Sequence, residues 1–204
     1  MERKEHWENV FSNKTEKEVS WYEQYPQVSV DFIQQFQLPS DAKIIDIGGG
    51  DSYLIDALLE LGFTNLYVLD ISAKAIERLK NRLGDKAKNK VTFIVSDTID
   101  FHPDVTFDLW HDRASFHFLT EENQINKYAE LVGSAEANEG KLIVGTFSEN
   151  GPKKCSGLDI AQYSATSMNE VFQANFEFID SKEVVHQTPF DTIQNFIFCT
   201  FKRK

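Results

Sequence analysis

"KIIDIGGGDSYLIDALLELG" (Lys43–Gly62) sets a carboxylate, Asp46, two residues before three consecutive glycines and then opens an apolar helical stretch. KIIDIG reads as a short buried strand, YLIDALLEL has helical spacing, and Gly62 predicts a left-handed stop. Glycine accepts positive φ and lets a ligand lie against the backbone, so Gly48, Gly49 and Gly50 predict a binding turn at the strand's mouth. A dinucleotide fingerprint would need a glycine at position 53, where Tyr53 stands. A pyrophosphate would also be repelled by Asp46. The turn calls for a ligand that carries positive charge and no phosphate.

Working outward, the period keeps alternating. Asn65–Ser72 reads as a second strand, with Ser72 able to cap a helix whose Ile76, Leu79 and Leu83 share one face before Gly84. Lys90–Asp97 and Phe107–Arg113 read as the third and fourth strands. A helix from about Thr120 to Val132 carries Ile125, Tyr128, Ala129 and Val132 on one side, and Gly140–Phe147 is a fifth strand. Strands alternating with helices predict a parallel sheet covered on both faces, a doubly wound α/β fold. Ser167–Glu170 reads as a capping box opening a short helix. Two strands follow, within Phe176–Val185 and Gln194–Phe201, and their connection is too short for a parallel crossover, so this pair is expected to be antiparallel. Upstream, helices with aromatic punctuation (Trp7, Phe11, Trp21, Tyr22, Tyr25) lead into Asp31–Leu38, where Phe32, Ile33 and Phe36 have helical spacing ahead of Pro39. The chain divides on this reading into a helical lid segment, 1–39, and an α/β domain, 40–204.

The 204 residues suffice for one large core, and the net charge of −11, from 32 acidic against 21 basic residues, argues against a grip on nucleic-acid backbone. A small or a Lys- and Arg-rich acceptor remains compatible. The charged start lacks a secretory apolar run, and no stretch nears the roughly 18 apolar residues of a membrane span. With only Cys155 and Cys199 present, a disulfide is not expected and a reducing cytoplasm is the simplest compartment. The five histidines and two cysteines show no metal-ligand spacing, so no metal is expected. Nothing in the sequence specifies an oligomeric state.

"DIGGGDS" resembles the D/E-x-G-x-G-x-G signature of class I S-adenosylmethionine-dependent methyltransferases, with Ser52 replacing the last glycine. That family's Rossmann-like fold, a seven-stranded mostly parallel sheet with an antiparallel C-terminal hairpin, matches the order read above. The resemblance implies S-adenosyl-L-methionine as cofactor, held by Asp46, Gly48, Gly49 and Gly50. It implies that Asp70, with Ile71 beside it, takes the ribose hydroxyls, and that Asp97, with Thr98, faces the adenine amino group. The separation of Asp46 and Asp70 fits one strand–helix–strand unit, near the roughly 20 residues usual for a ribose-binding acid. "HDRASFHFL" (His111–Leu119) resembles the post-strand motif of the thiopurine-methyltransferase-like branch, which adds His111 to the cofactor set and offers Arg113 and His117 as catalytic candidates. The long loop Ser148–Ser164 brings Tyr163, the third candidate, and Trp21 is expected near cofactor or acceptor. Each has a plainer reading: Asp112 and Arg113 as a local ion pair, His117 as a core histidine, Trp21 as packing, Cys155 as incidental. The implied function is methyl transfer to a small-molecule thiol or amine, or to a protein side chain. The alternatives are an NAD(P)-dependent oxidoreductase, or a non-catalytic module that binds S-adenosylmethionine.

Overall fold

In the computed structural model, which describes residues 3–204, the alternation becomes one sheet. Its parallel part comprises β1 (Lys43–Ile47), β2 (Asn65–Asp70), β3 (Val91–Val95), β4 (Phe107–Arg113) and β5 (Glu136–Phe147). The two-residue strands β6 (Lys154–Cys155) and β7 (Leu158–Asp159) form a separate ribbon inside the long loop. β8 (Phe176–Gln187) and β9 (Ile193–Arg203) complete the main sheet in the order β3-β2-β1-β4-β5-β9-β8, with β9 antiparallel to both β5 and β8. The antiparallel hairpin expected from the short connection is therefore present.

β1 lies at the centre, and Ile44, Ile45 and Ile47 are fully buried because helices cover both faces. One face packs Ile44 and Val68 against α2 (Gln27–Gln35), α3 (Leu54–Glu60) and α4 (Ala73–Leu83), through Phe32, Ile33, Ile55, Leu58, Ile76 and Leu79. The other face packs Ile45, Ile47 and Trp110 against α5 (Glu122–Ala135) and α6 (Ala165–Phe172), through Tyr128, Val132, Met168 and Phe172. α1 (Arg3–Asn13) lies outside this sandwich and touches α4. No helix among the described residues is long and apolar enough to cross a membrane.

Several boundaries shift for local reasons. α2 starts at Gln27 after Pro26, earlier than expected. α6 starts at Ala165, because Ser164 rather than Ser167 is the cap: Ser164 Oγ accepts from the Ser167 N–H, and Ser167 Oγ accepts in return from the Ser164 N–H. Met168 and Phe172, about one turn apart, lie on its buried face. Phe32 and Ile33 of α2 belong to the core, whereas α1 lies over the carboxyl ends of the strands.

Candidate functional site

Two cavities open where the parallel strands end. The larger, about 90 Å³, is lined by Asp70, Ile71, Asp97 and Thr98 and by Trp7, Phe11, Trp21, Phe116 and Phe118. The second, about 60 Å³, is lined by Asp46, Gly48, Gly49, Ser52, Tyr53 and His111, and by Glu16, Trp21 and Glu23. Gly48, Trp21 and Arg113 line both, so the cavities meet at the glycine turn.

The turn is built as its composition predicts. Gly48 has φ +62° and Gly50 φ +49°, in the left-handed region. A Cβ on Gly49 would lie 2.6 Å from both Asp46 Oδ2 and Val68 Cγ2. Tyr53 occupies the position of the missing third glycine, with the Arg82 guanidinium 4.1 Å over its ring and its hydroxyl donating to Glu16. Arg82 also donates to the backbone oxygens of Asp51 and Ser52, which pins the turn from below.

The three acidic strand ends line the cavities in the expected order. Asp70 is buried, and its Oδ1 accepts from the Ser72 N–H at 2.8 Å. Burial, reinforced by the nearby Asp51 and Asp46 carboxylates, raises its pKa to about 7 against backbone hydrogen bonds that lower it. Asp97 caps the short helical turn after β3 through the Ile99 N–H and pairs with Arg3 at 2.7 Å. Asp46 pairs with His111 Nδ1 at 2.7 Å. The Asp51 carboxyl is also raised by burial, partly offset by Arg78.

The sequence-level candidates for catalysis separate. Arg113 lines both cavities: its Nη1 donates to the Trp21 carbonyl and its Nη2 lies 3.1 Å from Glu23 without hydrogen-bond alignment. Its Nε and Nη2 are buried without acceptors among the described residues. His117 lies instead in the core between Phe118 and Phe147, where burial pushes its pKa down to about 3, so it is a neutral packing residue. Tyr163 packs on Phe116 with its ring centroid 5.2 Å away, lines neither cavity, and is raised by burial to about 12.

The Asp112–Arg113 ion pair does not form, because neighbours on a strand point to opposite faces. Asp112 turns inward and accepts from the Ser115 and Phe116 N–H groups and from the Tyr128 hydroxyl, which fixes the turn after β4. Cys155 lines the larger cavity, but burial pushes its thiol up to about 12; Cys199 is likewise free, buried and pushed up to about 12.

Sequence reasoning missed three groups. Glu8 of α1 caps α4, accepting from the Ser72 hydroxyl at 2.9 Å and from the Ala73 and Lys74 N–H groups at 2.7 and 3.2 Å. Glu23 joins Arg113 to His186, and His186 Nε2 donates to the Ser20 carbonyl. Burial would raise the Glu23 carboxyl, but the His186 hydrogen bond and the Arg113 charge hold it below its ordinary value. Ser29 of α2 bonds His111 Nε2 at 2.8 Å. A serine in a helix and a glutamate in a charged N-terminal run carry no local signal of such distant partners.

Residues 45–142 match a family model described as a methyltransferase domain. The chain is 25% identical over 223 aligned residues to the mouse (Mus musculus) eEF1A lysine and N-terminal methyltransferase, covering 96% of this chain and 30% of the relative. It thus spans under a third of that relative's length. Among solved structures it superposes with a TM-score of 0.80 on a protein from the conversion of a disulfide bond into a thioacetal group during echinomycin biosynthesis, at 17% identity, covering 98% and 93% of the two chains. A S-adenosylmethionine-dependent methyltransferase from Anabaena variabilis superposes with a TM-score of 0.75 at 14% identity, covering 100% and 96%. Sheet order and glycine turn agree with the domain match over residues 45–142: the chain has the seven-stranded, Rossmann-like fold of class I methyltransferases.

Proposed function

We propose that the chain binds S-adenosylmethionine across the two cavities and transfers its methyl group to an amine on a protein. The observation that carries this reading is the meeting of the cavities at Gly48, Trp21 and Arg113, with Asp70 and Asp97 along one arm and Asp46 along the other. The cofactor's chemistry fits that donor set: ribose hydroxyls and an adenine amino group need acceptors, and an ammonium needs a carboxylate. A nicotinamide dinucleotide would set its pyrophosphate at the glycine turn, against Asp46 and Asp51, which disfavours the oxidoreductase reading.

When bound, S-adenosylmethionine supplies an already activated methyl on a sulfonium, so the protein's task is to position and to exclude water. Asp70 and Ile71 hold the ribose edge, Asp97 and Thr98 the adenine, and Asp46 with the glycine turn the amino-acid end. Trp7, Phe11, Trp21 and Phe118, packed edge to face or tilted against one another, shield the junction. Arg113, with donors left over, orients the groups that meet there.

With Asp46 given to the cofactor's amino-acid end, the second cavity's lining still holds Glu16, Glu23 and Asp51 against one guanidinium, Arg113, which supports a cationic acceptor. Glu23, held ionised, suits the binding of an ammonium rather than the taking of a proton. The protein-lysine activity in the mouse relative's name points the same way. A second reading, a small thiol acceptor as in the thiopurine-methyltransferase-like branch, is favoured by the sulfur chemistry named for the structural neighbour. Incubation with radiolabelled S-adenosylmethionine and either elongation factor 1A or a panel of small thiols and amines decides between them. Label on a lysine or N-terminal amine of the protein supports the first reading; label on thiols alone replaces it with the second; no transfer by a chain that binds the cofactor leaves a non-catalytic module.

α1 serves as the lid in this proposal. Glu8 and Arg3 make its polar contacts to the rest of the fold, and Arg3 sits on the carboxylate assigned to the adenine. Elements that close on ligands come from the weakly held end of a structure. Amides of residues 3–13 are expected to exchange faster than those of α2 without ligand and to gain protection with S-adenosylhomocysteine. Equal protection in both states would make α1 a fixed wall.

A further inference from the structure

We infer that His111 is a positioning residue for the amino-acid end of the cofactor: it acts through Asp46 and gives the site its preference for ligands that carry that end. This rests on the cofactor reading above. Asp46, His111 and Ser29 are 2%, 2% and 1% exposed, come from β1, β4 and α2, and all line the smaller cavity. Their contacts form one chain, Asp46 Oδ1 to His111 Nδ1 at 2.7 Å and His111 Nε2 to Ser29 Oγ at 2.8 Å.

A carboxylate only accepts, so Nδ1 carries the hydrogen on the Asp46 side. The chain therefore occupies one oxygen of Asp46 from within the core. Oδ2 is left turned toward the glycine turn, 3.4 Å from Ser52 Oγ and directly beneath Gly49, whose Cβ would come within 2.6 Å of it. A cation reaching the turn meets an oxygen already aimed at it, with no reorientation to make on binding. Of the cofactor's parts, the amino-acid end alone brings an ammonium there. Without the Nδ1–H, Asp46 keeps its place on the strand and loses the bond that fixes its carboxylate plane.

The competing account is that the chain merely staples α2 to the sheet. Substitutions at the two ring nitrogens separate the accounts. His111→Asn sets an amide N–H near the Nδ1 position, facing Asp46; His111→Gln sets one near Nε2, facing Ser29. Ser29→Ala removes the staple and leaves the Asp46 contact.

The experiment is calorimetric titration of the whole chain and these variants with two ligands, S-adenosylhomocysteine and 5'-methylthioadenosine. The second has the same nucleoside thioether and no amino-acid end. His111→Gln is expected to lose about tenfold in affinity for S-adenosylhomocysteine, the scale of a hydrogen bond to a charged group, and less than about twofold for methylthioadenosine. His111→Asn and Ser29→Ala should stay within about threefold of the wild type for both ligands. Equal losses for the two ligands, or His111→Asn as weak as His111→Gln, would reduce the chain to packing and overturn the inference. A wild type that binds methylthioadenosine and S-adenosylhomocysteine equally would overturn it as well while leaving the nucleoside site intact. A wild type that binds neither would overturn the cofactor reading itself.

Discussion

Gly48→Val is expected to weaken S-adenosylhomocysteine binding by at least about a hundredfold while the sheet still folds. Two penalties meet at this residue. Its φ of +62° is a conformation that costs a residue with a Cβ roughly 1–2 kcal/mol, more for a β-branched one. A Cβ there would also lie 2.6 Å from Ser115 Cβ, on the turn after β4 that Asp112 pins in place, so neither partner can retreat cheaply. Because Gly48 lines both cavities, relief by moving the turn closes their junction. Gly62→Ala is the control for backbone strain alone: Gly62 has φ +92° and nothing within 4 Å of the added carbon. That variant should lower the melting temperature and leave affinity unchanged. A folded Gly48→Val chain with wild-type affinity would remove the glycine turn from the site.

What the sequence disclosed follows from what each signal needs. The alternation of buried strands and one-faced helices fixes which ends of the parallel strands point the same way, so Asp46, Asp70 and Asp97 were readable as neighbours in space before any contact was known. The short connection between the last two strands determined their sense for the same local reason. Orientation was harder. Strand alternation points Asp112 and Arg113 to opposite faces, and Asp112 serves the turn that Gly48 abuts. Tyr163 stands at the end of a long loop without a period, so nothing local told that its ring would pack on Phe116. The clasp of Glu8 on α4 and the bond from Ser29 to His111 join residues 64 to 82 positions apart. Both are made by residue types that usually sit on solvated faces, and only the packed structure brings them together.

Asp70 sets the pH behaviour expected of the site. Its carboxyl is buried, and the Asp51 and Asp46 carboxylates face it, while the Ser72 N–H and the Gly50 backbone partly stabilise its charge; the balance raises the pKa from the ordinary 3.8 to about 7. In the folded chain without ligand the group thus holds a proton at pH 6 that the unfolded chain has released. Its contribution to stability is full below the unfolded value, and it is lost as pH rises through about 7. Ribose hydroxyls donate, so they bond better to the ionised carboxylate and binding expels the proton. Affinity for S-adenosylhomocysteine should therefore rise about tenfold from pH 6 to pH 8 and flatten above, with proton release visible as a dependence of the calorimetric heat on buffer. Asp70→Asn should abolish that slope. Asp70→Ala should cost about 1.5–3 kcal/mol of binding at pH 8, the range of hydrogen bonds to a charged group, and should stabilise the ligand-free chain there by removing a buried charge. Asp112, raised to about 6, lines neither cavity and bonds within the core, so it adds nothing to the slope. A slope that survives in Asp70→Asn, or an Asp70→Ala chain that binds as the wild type does, would take the ribose away from Asp70 and with it the alignment of the second strand's acidic end.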